Sequence, residues 1–299
     1  MKLKKIFKIF LVLAAIFISL RFPKSIAEGM TKGFSICIKN VIPSLLPFIL
    51  ITNYINSKNI EKHISKIIHP ITKHIFCLSE NGSFIFFIGL LCGYPMSAKL
   101  LGDFYTSNKL SVAECKYLAT FCNNTSISFL FNYVGYYCLS DTVPKIKLLL
   151  LVFFPSLIVG IINNIFLKYK FKGKSFLQHS YKEHVICNDN IIKSSIISIS
   201  TICIYVLLFS ALNNIIRSTN LKFSNILTSI NEITTGCKQI SLMHIPDSAF
   251  FILCLVISGG LCIGFQVFSM IKNKEIFNYY IIGKIECIFV YCILYSMLT

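Results

Sequence analysis

The sequence predicts an all-α polytopic membrane protein, and three observations support this fold class. Of the 299 residues, 55% are hydrophobic and only 14% are charged, whereas a soluble domain of this length carries roughly 25% charged residues. The apolar residues form about eight long segments, not short alternating strands. Lysines occupy the loops and the ends of these segments, where they contact lipid headgroups.

The charge balance fits a membrane protein better than a nucleic-acid-binding one. The 29 basic and 12 acidic residues give a net charge of +17, which in a soluble protein would indicate nucleic acid. Here the lysines flank apolar segments, so we expect a lipid bilayer as partner and no nucleic acid. The 13 cysteines show no CxxC spacing, and no HExxH or GxSxG string occurs, so no metal, cofactor or enzymatic activity is expected.

The chain divides into four regions. Residues 1–33 contain a basic cluster and then an apolar stretch, which predicts an N-terminal transmembrane anchor, with signal-peptide cleavage near Ser25-Ile26-Ala27 as the alternative. Residues 34–167 form a first repeat, 168–190 a basic cytoplasmic loop, and 191–299 a second repeat.

Two apolar segments of the first repeat are interrupted. Gly93-Tyr94-Pro95 breaks the segment from Gly82 to Leu101, and Asn123-Asn124-Thr125 lie inside the segment from Leu118 to Leu139. The distribution of lysines among the loops agrees with a cytoplasmic loop at 168–190 only if one interrupted segment enters and leaves on the same side. We therefore expect Gly82–Leu101 to be a re-entrant hairpin.

An internal similarity links the two halves. The string from Gly89 to Pro95 resembles the string from Gly260 to Gln266, and a Glu followed by a nearby Gly precedes each. Matching interruptions in two halves are typical of transporters with inverted repeats. The alternative is that glycine-rich apolar strings match by chance.

Several motifs resemble those of a known family. They are the string Gly89-Leu-Leu-Cys-Gly-Tyr-Pro-Met-Ser-Ala-Lys-Leu-Leu-Gly102, the string Leu110-Ser-Val-Ala-Glu-Cys-Lys-Tyr-Leu118, the string Phe121-Cys-Asn-Asn-Thr125 and the string Glu232-Ile-Thr-Thr-Gly236. Together they resemble the YlbJ-type sporulation integral membrane proteins, over about residues 43–286. The family usually has Gly-Ala-Lys where this chain has Ser97-Ala98-Lys99.

The resemblance implies both a fold and a role. The family carries two gate, or nucleoside-recognition-like, domains, which are related to parts of concentrative nucleoside transporters. It implies a multi-pass protein of the cell membrane, in the mother-cell-derived membrane around the forespore. It also implies a role in endospore formation, with dipicolinic acid as the suggested cargo.

The first interruption provides candidate residues for binding such a dianion. Gly93 and Pro95 are suited to end one half-helix and start the next, whose N-terminus offers free N–H groups. Ser97 and Lys99 follow within about one turn, and Lys99 either neutralises a carboxylate or extends its ammonium to the interface. Tyr94 either stacks on an aromatic ring or belongs to the interfacial belt.

Further polar residues lie inside apolar segments, where they require protein or water around them. Asn123, Asn124 and Thr125 either bind substrate or bond to neighbouring helices. Gln266, in the second of the similar strings, is a further candidate for substrate binding.

Acidic residues are the candidates for coupling to H⁺ or Na⁺. Glu232 is the first of these, and Thr234, Thr235 and Gly236 either form an ion-coordinating turn with it or cap a helix. Glu286 is the second, with an interhelical salt bridge as its alternative role.

The function that these features favour is transport of a small anionic solute across the membrane. A non-transporting scaffold or assembly factor for sporulation is the alternative, because it needs neither a cavity nor a coupling acid. Whether the protein forms a homo-oligomer is left open.

Overall fold

Long apolar segments become helical in a membrane because hydrocarbon offers no partner for an unpaired backbone N–H. The computed structural model describes residues 2–170, 191–219, 223–243 and 245–298, and these residues contain helices and turns but no strand. The helices before residue 171 are α1 (Lys2–Arg21), α2 (Pro23–Ile36), the π-helix π1 (Cys37–Val41), α3 (Ile42–Ser57), α4 (Glu61–Phe76), α5 (Glu80–Cys92), α6 (Met96–Thr106), α7 (Val112–Phe121), the π-helix π2 (Phe129–Cys138) and α8 (Lys145–Lys170).

The second half contains six helices among its described residues. They are α9 (Ile191–Ser218), α10 (Ser224–Asn231), α11 (Ile233–Leu242), α12 (Ser248–Ser258), α13 (Gly260–Ile271) and α14 (Lys274–Leu298). The predicted basic cytoplasmic loop at 168–190 lies almost entirely outside the described residues, apart from the end of α8.

Five helical segments of the described chain are long and apolar enough to cross a membrane. They are Pro23–Ser57, Lys145–Phe166, Ile191–Ser218, Ser248–Ile271 and Lys274–Leu298. A sixth is added if α4 and α5, which meet at 95°, count as one broken span. The protein is therefore an all-α polytopic membrane protein, although the predicted number of about eight apolar segments is not confirmed.

The outer surface of these helices is apolar. Large hydrophobic side chains such as Ile165 and Phe166 on α8 and Ile285 and Phe289 on α14 are mostly exposed. A soluble monomer does not expose apolar surface on this scale. The exposed faces therefore contact the hydrocarbon of the lipid bilayer.

Two glycines bring α2 and α9 close together. Gly29 and Gly33 are one turn apart on α2, and a Cβ atom at either would press on the backbone of α9 near Ala211 or Leu207. The Ser210 hydroxyl of α9 also donates to the Gly29 carbonyl at 2.8 Å. Small residues four apart allow this close approach of helices in lipid, where van der Waals packing drives association.

Helices α5 and α6 form an antiparallel pair, which we call the first hairpin. The rings of Phe84 and Phe104 stack with centroids 6.2 Å apart, and a Cβ at Gly89 would lie 3.1 Å from the Cβ of Ser97. The turn between the helices is Gly93-Tyr94-Pro95, with a cis bond before the proline. The sequence predicts a hairpin over Gly82–Leu101; that this hairpin enters and leaves the membrane on the same side stays a prediction.

Helices α10 and α11 form the second hairpin. The hydroxyl of Ser229 on α10 donates to the side chain of Gln239 on α11 at 3.0 Å. Gly236 lies against the carbonyl of Ser229, so a side chain there would collide with the backbone. The turn of this hairpin is Glu232, which has an extended backbone.

Two further segments are broken helices. In the first, residues 122–126 interrupt helical structure between α7 and π2; in the second, Gly259 separates α12 from α13. The two similar sequence strings therefore lie at different places in the fold. Gly89–Pro95 ends at the turn of a hairpin, whereas Gly260–Gln266 starts the second part of a broken helix.

Candidate site at the broken helices

The turn of the first hairpin packs directly on the first broken helix. The Tyr94 N–H donates to the Asn124 carbonyl at 2.6 Å. Gly93 has a φ of +73° and lies against the backbone of Ser126, which leaves no room for a Cβ. The hydroxyl of Ser97, in the first turn of α6, donates to the Asn123 side-chain oxygen at 2.6 Å. The structure thus brings together the predicted residues of the two interruptions in the first half, except Lys99.

The predicted polar triplet at 123–125 is buried. The Asn124 amide donates to the Phe121 carbonyl and to the Ser156 hydroxyl of α8, both at 2.9 Å. Asn124 therefore connects the unwound segment to the end of α7 and to α8. By contrast, the amide nitrogen of Asn123 has no hydrogen-bond partner in the described part of the structure, although Asn123 is only 2% exposed. A buried free donor of this kind requires an explanation, such as a ligand.

The turn of the second hairpin packs on the second broken helix in a similar way. A Cβ at Gly260, which has a φ of +68°, would lie 2.9 Å from the Ile230 carbonyl oxygen. Glu232 caps α11, because its two carboxylate oxygens accept from the N–H groups of Thr234 and Thr235 at 2.9 and 2.7 Å. Of the two roles that the sequence allows at this turn, the geometry is that of a helix cap.

Two tyrosines connect the first half to the second. The Tyr94 hydroxyl donates to the Val256 carbonyl in the last turn of α12 at 3.3 Å. The Tyr133 hydroxyl of π2 donates to the Thr234 carbonyl in the first turn of α11 at 2.7 Å. Both hairpin turns therefore converge on the broken helix formed by α12 and α13.

Lys284 of α14 lies where the two breaks meet, and its sequence context alone predicts no role for it. Its ammonium donates to the Asn123 carbonyl and, at 2.8 Å, to the Ile257 carbonyl. It also lies 5.7 Å from the ring centroids of both Tyr94 and Tyr280. A signal for it was present: Lys284 is ten residues, or about 15 Å, from the start of α14, too far for a lysine to reach the interface.

Lys99 lies elsewhere in the first hairpin. Its ammonium contacts the Asp103 carboxylate at 2.7 Å and the Asn53 side-chain oxygen at 2.6 Å. The Asn53 amide in turn donates to the hydroxyls of Ser194 and Ser195 on α9. Lys99 therefore joins the first hairpin to α3 and α9 and already has an acidic partner.

Among the described residues, no hydrogen bond joins Gln266 or Glu286 to the segment around Asn123. Gln266 is buried on α13, and its amide contacts the Cys262 sulfur of the same helix at 3.4 Å. Glu286 accepts from the Asn163 amide of α8 at 2.7 Å. The predicted alternative for Glu286 was a salt bridge, and its observed partner is a neutral amide.

Two cavities lie beside these elements. A polar one of about 90 Å³ lies where α2, α9 and α11 meet, and its lining includes Lys32, Asn213, Arg217, Glu232 and Thr235. An apolar one of about 470 Å³ is lined by α10, α11, α12 and α14. Within the described residues, no three His, Cys, Asp or Glu side chains come together as a metal site.

Comparison with known proteins finds a partial similarity to a described membrane protein. The chain is 31% identical over 126 residues to "Sporulation integral membrane protein YlbJ" of Bacillus subtilis (strain 168), and the match covers 42% of this chain and 30% of that protein. No protein-family model matches the chain, and neither does any solved structure. The chain is thus a multi-pass membrane protein that is similar, over part of its length, to a sporulation integral membrane protein.

Proposed function

We propose that this protein transports a small anionic solute needed in endospore formation. In this proposal, residues 34–167 and 191–299 are two gate-type inverted repeats, each with one hairpin and one broken helix. The protein is a carrier and not an enzyme. The role in sporulation rests on the partial similarity to the Bacillus protein, and dipicolinic acid as cargo rests on the family resemblance of the motifs around Gly93, Asn123 and Glu232.

One observation carries the transport proposal: each hairpin turn packs on an unwound point of a broken helix. Tyr94 bonds to Asn124 in the first half, and Ile230 lies against Gly260 in the second. Unwound backbone within membrane helices is stable only where protein or a water-filled path surrounds it. Paired breaks with polar backbone near a repeat interface are the usual construction of a solute site in a transporter.

The chemistry near the first break supports an anion as the solute. The buried Asn123 amide offers a free N–H, and α6 begins immediately after Pro95, so its N-terminal end adds a partial positive charge. The Lys284 ammonium adds positive charge, and it contacts no acidic side chain of the described residues. A carboxylate that entered when the hairpin opens would satisfy the Asn123 donor.

The remaining expectations stay proposals of the same kind. Coupling to H⁺ or Na⁺ would involve Glu232 or Glu286, and the membrane would be the mother-cell-derived one around the forespore. The polar cavity next to Glu232 supports a path for ions or water toward the second hairpin. A homo-oligomer is compatible with the apolar outer faces, which bind lipid equally well.

A membrane scaffold for sporulation is the second candidate, and one observation favours it. Ser97, Asn124 and Lys284 are all held by internal hydrogen bonds at the first break, and the two cavities described above are lined by other residues. A scaffold would keep this closed arrangement permanently. A transporter would open it during each cycle.

A flux assay distinguishes the two candidates. We expect vesicles containing the purified protein to take up radiolabelled dipicolinate saturably, above the level of protein-free vesicles. Asn123→Ala should lower uptake several-fold, whereas Gly264→Ala, at a glycine with open space around it, should leave uptake unchanged. If no labelled dicarboxylate enters and Asn123→Ala cells still form normal spores, the transport proposal fails and the scaffold remains.

A further inference from the structure

The surroundings of Lys284 are those of a small monovalent cation. Its two hydrogen-bond acceptors are the carbonyls of Asn123 and Ile257, and its ammonium lies over the rings of Tyr94 and Tyr280. Carbonyl oxygens and aromatic faces are ligands that suit Na⁺, K⁺ and ammonium ions. No carboxylate of the described residues pairs with it.

One of the two carbonyls lies in the last turn of a helix, and the other lies just beyond the end of a helix. Asn123 follows the last residue of α7 by two positions, and Ile257 is in the last turn of α12. The final carbonyls of a helix have no partner within the helix and carry the negative end of its dipole. Ile257 provides one such carbonyl, and Asn123 provides a carbonyl of the unwound segment after α7; the two broken helices therefore meet at one ammonium group.

The packing of α14 fixes the ammonium at this position. Gly283, the neighbour of Lys284, lies against the backbone of Thr120 in α7, where a Cβ would collide. Lys284 itself is buried. Without a cation here, both carbonyls would be left unpaired in a dry environment, which is costly.

We propose that the Lys284 ammonium fills a monovalent-cation site built from the unwound segment after α7 and the last turn of α12. The cation at this site is therefore a covalent part of the protein. A carrier without this lysine would have to bind Na⁺ or K⁺ from solution at the same position. The consequence for coupling, that the first break needs no inorganic cation, rests on the proposed transport function. The site itself does not.

Removing the ammonium while keeping the two carbonyls and the two tyrosine rings around it tests the proposed cation site directly. Wild-type protein, Lys284→Ala and Lys284→Met are purified in detergent, and Tm is measured at equal ionic strength in the chlorides of sodium, potassium, ammonium and N-methyl-D-glucamine. For Lys284→Ala, we expect a lowered Tm in N-methyl-D-glucamine chloride and a saturable rise of about 3 °C or more in at least one small cation. In the wild type and in Lys284→Met, the side chain at position 284 occupies the cation site. The Tm of each of these two proteins should therefore be the same in all four salts.

A second variant covers the case in which the alanine protein does not fold in the absence of a small cation. Lys284→Ser retains a hydroxyl for one carbonyl, and both variants are also extracted with sodium, potassium or ammonium present throughout. Equal Tm values for Lys284→Ala in all salts would overturn the proposal, and so would failure to recover folded Ala and Ser variants in every salt. Because this readout is stability, it can succeed while vesicle uptake fails, or fail while uptake succeeds.

Discussion

The hydroxyl of Ser97 donates a hydrogen bond to the side-chain oxygen of Asn123 across 2.6 Å, and both residues are almost fully buried. Ser97 belongs to the first turn of α6 and Asn123 to the unwound segment after α7. The bond therefore connects the first hairpin to the first broken helix. It also fixes the orientation of the Asn123 amide, whose nitrogen is the free donor.

Ser97→Ala should weaken this connection measurably. The substitution leaves the Asn123 side-chain oxygen buried without a donor, which costs about 1–3 kcal/mol, and it frees the amide to rotate. We expect a lower Tm in detergent and a several-fold loss of dipicolinate uptake. Ser241→Ala, which removes an exposed hydroxyl bonded within its own helix, is the control. Equal behaviour of the two variants would show that the Ser97 bond has no role.

Gly93→Ala tests the close approach of the hairpin turn to the break. The residue has a φ of +73°, and a Cβ there would overlap the backbone of Thr125 and Ser126, so we expect a loss of about 2 kcal/mol or more. Gly264→Ala is the matched control, because no atom lies within 4 Å of its would-be Cβ and alanine favours a helix. Its Tm in detergent should be unchanged or slightly higher. A Gly93→Ala protein as stable as Gly264→Ala would contradict the geometry described for the turn.

The membrane fold and the interruptions were predictable because they depend on local sequence. Long apolar segments require helices in lipid, and the sequence Gly93-Tyr94-Pro95 disfavours a continuous helix. The tertiary partners of the polar residues were not predictable. Lys99 has a partner four residues away in Asp103, but Lys284 has its acceptors in the segment after α7 and in α12, far away in the sequence. Spacing along the chain carries no information on such contacts.

The similarity between the two sequence strings likewise does not predict where each string lies in the fold. Gly89 and Gly93 both lie where backbones approach closely, whereas in Gly260–Gln266 only Gly260 does. The first string ends at a hairpin turn, and the second starts after a helix break. The packing gives a different correspondence: hairpin α5–α6 with hairpin α10–α11, and the break at Asn123 with the break at Gly259. That correspondence depends on which elements touch, and it became visible only in the structure.

Substitutions of Glu232 can distinguish a role as a helix cap from a role as a coupling acid. As a cap, it should tolerate Asp, which also accepts from the N–H groups of the first turn, while Glu232→Ala should lose about 1 kcal/mol. Tm in detergent measures this order directly. If Glu232 only caps α11, uptake per folded molecule and its dependence on Na⁺ or pH should be the same in wild type and Glu232→Asp. An Asp variant that is as stable as wild type but has lost ion-dependent uptake would instead identify Glu232 as the coupling residue.

Lys99 and Lys116 provide a matched pair for the role of burial. Each contacts a carboxylate at 2.7 Å, but the Lys99 and Asp103 side chains are 6% and 35% exposed, whereas those of Lys116 and Glu275 are 17% and 71% exposed. Lys99→Ala also leaves the buried Asn53 oxygen without its donor, so we expect the free energy of unfolding to fall by about 2 kcal/mol. Lys116→Ala should change Tm in detergent much less, because water and salt screen an exposed pair. Raising the salt concentration should therefore leave the loss of Tm in Lys99→Ala largely unchanged. If that loss disappears at high salt, Lys99 acts as a surface ion pair and does not link α6 to α3 and α9.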